Sequence, residues 1–159
     1  MADRRTPFLN AGERETLVAF LDYLRESVIV KASGLEGESL HRAMVPSGTT
    51  LLGLVKHLTM AETYWFHWSF AGDDIEIPTD ALAPSDTAEV VVSAYRHAIR
   101  RSNEIVASAP DLEGLSAHDH HGEGPLSLRW VLVHMIEETG RHAGHTDILR
   151  EQLDGATGE

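Results

Sequence analysis

The chain has 159 residues, enough for one domain with a real core, and its 42% hydrophobic and 24% charged content is that of an ordinary globular protein. A formal net charge of −12 argues against a nucleic-acid binder and against docking on anionic membranes, since both need clustered Lys and Arg. With no cysteine there is no disulfide framework and no thiolate nucleophile, so a metal site must be built from His, Asp or Glu.

The opening "MADRRTPFLNAGERETL" lacks the apolar stretch of a secretory leader, and no run approaches the roughly 20 apolar residues of a membrane span. The protein is therefore expected in the cytoplasm. A first helix is predicted from Ala11 to Ala32, with Asn10 and Glu13 in a capping-box pattern and apolar Leu17, Phe20, Leu21, Leu24 and Val28 at threes and fours. The Gly-containing connection that follows carries a short helical turn around Ser39 to Met44. A second helix, "LLGLVKHLTMAETYWFHWSFAG", begins after Ser47 and Thr49, the expected caps, and ends at Gly72.

The Pro-rich linker "IPTDALAPSD" leads to a third helix, where Asp86 with Glu89 forms a second capping-box pattern and Pro110 marks the stop. Its "VVV" locally favours strand but sits inside a long helical pattern. After the polar loop "DLEGLSAHDHHGEGP" a fourth helix runs from near Ser127 to Gly155, and "GATGE" is a frayed tail. Four long helices with no alternating strand pattern predict an all-α four-helix bundle spanning residues 1–159 as one domain.

Ten histidines are many for this length, and their placement is informative. At about 100° per residue, His134, Glu138, Arg141, His142 and His145 all fall within a stripe of roughly 100° on the fourth helix. The stripe continues as Trp130 and Val131 on one side and Leu149 on the other, which suggests a buried polar pocket. Glu137, Asp147 and Arg150 supply an alternative wet face. Gly140 and Gly144 lie opposite, where they would let a neighbouring helix approach closely.

Glu138 and His142 have the i, i+4 spacing at which helical side chains converge, and both are good ligands for divalent first-row metals. Two ligands are too few, and the same spacing also makes ordinary surface ion pairs. On the second helix His57 shares a face with Leu54, Ala61, Tyr64 and Trp68, and so is expected to point inward, either as a hydrogen-bonded core residue or as a third ligand. Three protein ligands leave a coordination position for water or substrate, as catalytic metals require. His134, His145 and Glu62 are candidates for orienting the ligand imidazoles through the free ring nitrogen, with polar packing as the alternative.

The stretches "PSGTTLLGLVKHLTMAETYWF" and "LSLRWVLVHMIEETGRHAGHTDILREQLDG" resemble the DinB/YfiT-like superfamily of metal-binding four-helix bundles. The likeness is to an actinobacterial domain-of-unknown-function branch, related to the mycothiol-dependent maleylpyruvate isomerases. In that superfamily the metal is held by one histidine on the second helix and an H-x-x-x-H pair on the last. The resemblance places His57 and His142 on the outer two of these positions, and Glu138 stands where the middle histidine is usual. The maleylpyruvate isomerases are similar there, with Glu-x-x-x-His. Carried over, His57, Glu138 and His142 are expected to bind a divalent metal, zinc or nickel foremost and manganese or iron also open. The resemblance further implies a low-molecular-weight thiol such as mycothiol as co-substrate, whose thiolate attacks a small electrophile, and a homodimer. Arg141 would bind a cofactor or substrate carboxylate, or form a surface ion pair.

Other chemistries are less well supported. "HDHHGEG" puts three histidines in a Gly-rich loop without helical preorganisation, read as a mobile polar loop that could cover a pocket mouth. "HMIEE" is not the H-E-x-x-H of zinc proteases, and a G-x-S-x-G hydrolase elbow is missing. Tyr64, Trp65, Phe66 and Trp68 line either a substrate cavity or the core, and "RHAIRR" is a solvated basic patch. Two classes remain, a metal-dependent thiol transferase or isomerase and a non-catalytic metal-binding or interaction bundle.

Overall fold

The computed structural model describes residues 6–7, 10–34, 37–120 and 122–157. The element order is α1 (Glu13–Ala32), a 3-10 turn (Gly37–His41), α2 (Leu51–Glu62) running into a π-helical segment (Thr63–Phe70), α3 (Ala88–Ser108) and α4 (Leu128–Asp154). Among the described residues the only β pairing is an isolated antiparallel bridge between Leu115 and Ser127. The result is the all-α four-helix bundle that the periodicity predicts.

Helix starts differ from the expected caps in three places. Gly12, with no side-chain cap, precedes α1, and Glu13 and Glu15 complement the dipole there instead of an Asn10 box. Thr50 caps α2, its Oγ1 accepting the Gly53 N–H at 3.0 Å, while Ser47 and Thr49 hydrogen-bond each other. Thr87 caps α3, because Asp86 is engaged elsewhere: its carboxylate accepts from Lys56 at 2.7 Å and from the Ala83 N–H at 2.8 Å. The 3-10 turn begins two residues before the expected Ser39 and ends at His41, ahead of Met44. Ser127 caps α4 as expected, and Gly155 ends it at φ 77°, a left-handed conformation that glycine adopts without a Cβ penalty. Of the tail beyond it, residues 158–159 lie outside the described residues.

In the π-helical segment each turn takes one extra residue, as in the bond from the Ala71 N–H to the Phe66 carbonyl at 3.0 Å. The α-helical count along the second helix therefore fails beyond Glu62. Trp65, off the face assigned to His57, meets Trp130 and His134 on α4.

α1 packs chiefly on α4, and α2 on α3 and α4. One apolar cluster gathers Val28, Leu52, Val55, Leu58 and Tyr95, and another gathers Leu21, Phe66, Leu128, Leu132 and Met135. Each fully buried aliphatic side chain contributes about 1.5–3 kcal/mol. Arg25 and Glu62 fall at the junction of the two clusters, 2% and 0% exposed. Arg25 binds both Glu62 oxygens, at 2.8 and 2.7 Å, and also Asp22 and Asn103, so neither buried charge is left without partners. Gly140 touches α1, where an added Cβ would stand 3.5 Å from Leu24 Cδ1. Gly144 faces open space, so close helix approach explains only the first of the two glycines.

Candidate metal centre

The buried face of α4 runs through Val131, Met135, Thr139, Ala143 and Thr146. Glu138 and His142 sit one position to the side of this face, so they line the edge of the core. They are 14% and 15% exposed, and His57 reaches them from α2 at 32%. The expected buried pocket is thus a half-buried one, since the histidine stripe and the fully buried stripe are offset around the helix.

A single oxygen organises the cluster. Glu138 Oε1 lies 2.9 Å from His57 Nε2 and 3.1 Å from His142 Nε2. One donor atom from each of the three side chains lies within 4.8 Å of the others, and the two imidazoles meet edge to face with centroids 4.9 Å apart. Arg141 approaches the other carboxylate oxygen, Oε2, at 3.5 Å and pairs with Glu137, leaving Oε1 to the histidines.

Burial raises the Glu138 carboxyl, but the His57 hydrogen bond and the charges of His142 and His57 outweigh it and hold its pKa below the ordinary value. Burial lowers the His142 pKa, with Glu138 opposing and His57 assisting. The site therefore favours an ionised carboxylate beside a neutral imidazole, the forms that bind a metal. Two nitrogens and one anionic oxygen converging from two helices suit a divalent first-row cation, and three protein donors leave further coordination positions free.

The outer ring nitrogens also face partners. His145 Nδ1 is 3.4 Å from His142 Nδ1, and Asp80 Oδ2 is 3.3 Å from His57 Nδ1. Asp80 was not among the residues singled out from sequence. It lies in the linker, where no helical spacing connects it to His57.

Two other candidates sit apart from the triad. Both oxygens of Glu62 are taken by Arg25, so Glu62 orients no ligand imidazole. His134 lies between rings, with centroids 5.0 Å from Trp130 and 4.6 Å from Trp65, and among the described residues it has no hydrogen bond to the triad. Burial lowers its pKa, opposed by Glu138 and Glu137.

The histidine loop is docked on an aromatic wall. His118 stacks on Trp68 at 4.4 Å, and its Nδ1 donates to the Trp68 carbonyl at 2.8 Å. His120 Nδ1 is 2.9 Å from the Tyr64 hydroxyl, and its ring is 4.6 Å from Trp65. His121 lies outside the described residues. Phe66 is core, whereas Tyr64 and Trp68 remain half-buried. In "RHAIRR", Arg96 pairs with Glu26 and Arg101 with Asp73.

The profile of the mycothiol-S-transferase family matches residues 16–155. The chain belongs to the mycothiol-S-transferase family. The matched span contains every residue of the triad and nearly all of the four helices. The chain is similar to a DinB-like protein from Bacillus cereus ATCC 10987, with a TM-score of 0.67. The two share 22% identity over 87% of this chain and 91% of that one, a likeness that establishes the DinB-like fold. No curated protein matches. Among the described residues of this family member, no helix is long and apolar enough to cross a membrane.

Proposed function

We propose that this member of the mycothiol-S-transferase family is a divalent-metal-dependent enzyme that joins a small thiol of the mycothiol type to a small electrophile. The observation that carries the reading is the convergence of His57 Nε2, His142 Nε2 and Glu138 Oε1 at the edge of the core.

His57, Glu138 and His142 would hold the metal. A bound divalent cation supplies Lewis acidity, which lowers the pKa of a thiol or water at its free position. The chain contributes the rest. Glu138 stays ionised and His142 neutral for the reasons above, which keeps these two donors ready at neutral pH. His145, on the outer nitrogen of His142, fixes that ring's orientation. Arg141 is exposed beyond Glu138 and offers a guanidinium to an anionic group of thiol or electrophile. The chain has no cysteine, so the attacking sulfur arrives with the co-substrate.

Metal content measured on untagged protein, followed by an assay joining mycothiol to a fluorogenic alkylating electrophile, tests the reading. About one divalent ion per chain, with thiol conjugation that disappears on chelation, is the expected result. Protein that carries no metal and gains no thermal stability from added zinc, nickel or manganese would refute it.

A further inference from the structure

This inference rests on the metal reading of the triad and concerns a residue outside it. Asp80 follows His57 by 23 positions and reaches back so that its Oδ2 is 3.3 Å from His57 Nδ1. The linker that carries it is fastened on both sides. Asp73 is bound by Arg101 at 3.0 Å, Asp86 by Lys56 at 2.7 Å, and Leu82 packs on the apolar cluster around Val55 and Leu58. The placement of Asp80 is thereby bounded by the fold, although the residue itself is half exposed.

A carboxylate only accepts hydrogen bonds, so Asp80 is satisfied when Nδ1 carries the proton of the neutral ring. That tautomer leaves the lone pair on Nε2, the nitrogen turned toward Glu138 Oε1 at 2.9 Å. Without Asp80 the proton can instead sit on Nε2 and pair with Glu138, in competition with a cation. His142 is arranged alike, with Nε2 turned to Glu138 and Nδ1 turned to His145. Both rings thus turn the same nitrogen inward. We propose that Asp80 is a positioning residue that sets the tautomer and rotation of His57 and so raises the affinity of the triad for a divalent cation.

The test titrates zinc ion into metal-free protein in competition with a chromophoric chelator, using wild type, Asp80→Ala, Asp80→Glu and His57→Ala. Asp80→Ala is expected to lose about 10–100-fold in affinity, the usual effect of removing a partner from a metal-bound imidazole. Asp80→Glu restores most of it, and the metal-free variants melt with wild type, since Asp80 lies outside the core. In the zinc-loaded protein, long-range proton–nitrogen spectra show a slowly exchanging His57 Nδ1–H in wild type that is lost in Asp80→Ala. Equal zinc affinity in wild type and Asp80→Ala, with binding lost in His57→Ala, overturns the role of Asp80 and leaves the triad standing. Absence of zinc binding by wild type overturns both.

Discussion

Glu138 Oε1 stands 2.9 Å from His57 Nε2, joining α2 to α4 across a sequence separation of 81 positions. The same oxygen faces His142, so one atom supplies the anionic donor to both imidazoles. Glu138→Gln keeps the shape but removes the charge, and is expected to weaken zinc binding by more than the roughly 100-fold that loss of an outer partner can cause. Glu138→His, which restores the H-x-x-x-H spacing of the resembling superfamily, is expected to retain a metal. Metal content after dialysis checks both.

Arg25 and Glu62 form an ion pair closed to solvent, with Arg25 also 5.7 Å above the Phe66 ring centre. Removing one partner strands the other charge in the core. Glu62→Ala is therefore expected to destabilise the fold by about 3–5 kcal/mol in denaturant melts. Combining Arg25→Met with Glu62→Leu should recover most of that loss. The double variant is also expected to bind zinc with near-wild-type affinity, because Glu62 does not touch the triad.

Stability is expected to fall with acidification through His67. Burial lowers its pKa, opposed by its hydrogen bond to the Ala98 carbonyl and by the charges of Glu62 and Asp73. The folded state then prefers the neutral ring, and the unfolded chain takes up the proton first. Above the ordinary value of 6.5 both states are neutral and nothing is lost. Stability drops as pH falls from there through the lower folded value. His134, also lowered by burial, adds in the same sense. Melting temperatures taken between about pH 7 and pH 5 should decline, and His67→Gln should flatten the slope.

Gly144 has open space where its Cβ would be. Gly144→Ala is expected to stabilise α4 by about 1 kcal/mol, the propensity difference in a helix interior. Thermal unfolding of the metal-free protein measures it. A loss of stability would show that this glycine serves contacts beyond the packing described.

The bundle was legible because helical periodicity is local. The positions of Leu17, Leu21, Leu24 and Val28, the Ser127 cap and the Gly155 stop need only their own neighbours to act. The pairing of Glu138 with His142 is local too, as a consequence of one helical turn. The caps misread at Asn10, Ser47 and Asp86 show the limit of such reasoning: several polar residues near a helix start can cap it, and tertiary partners such as Lys56 decide which are free.

What only the tertiary structure decided is whatever joins distant segments. The rotation of α2 against α4 brought His57 to Glu138, and the same packing gave Glu62 to Arg25 rather than to the triad. The π-helical segment shifted the aromatic register, so that Trp65 met His134 and the loop histidines found rings to stack on. Asp80 had no signal at all, since a linker carries no period from which its reach could be counted. The stretch from Glu137 to His145 held two candidate ligands in its own sequence, but their partners were supplied by other segments of the chain.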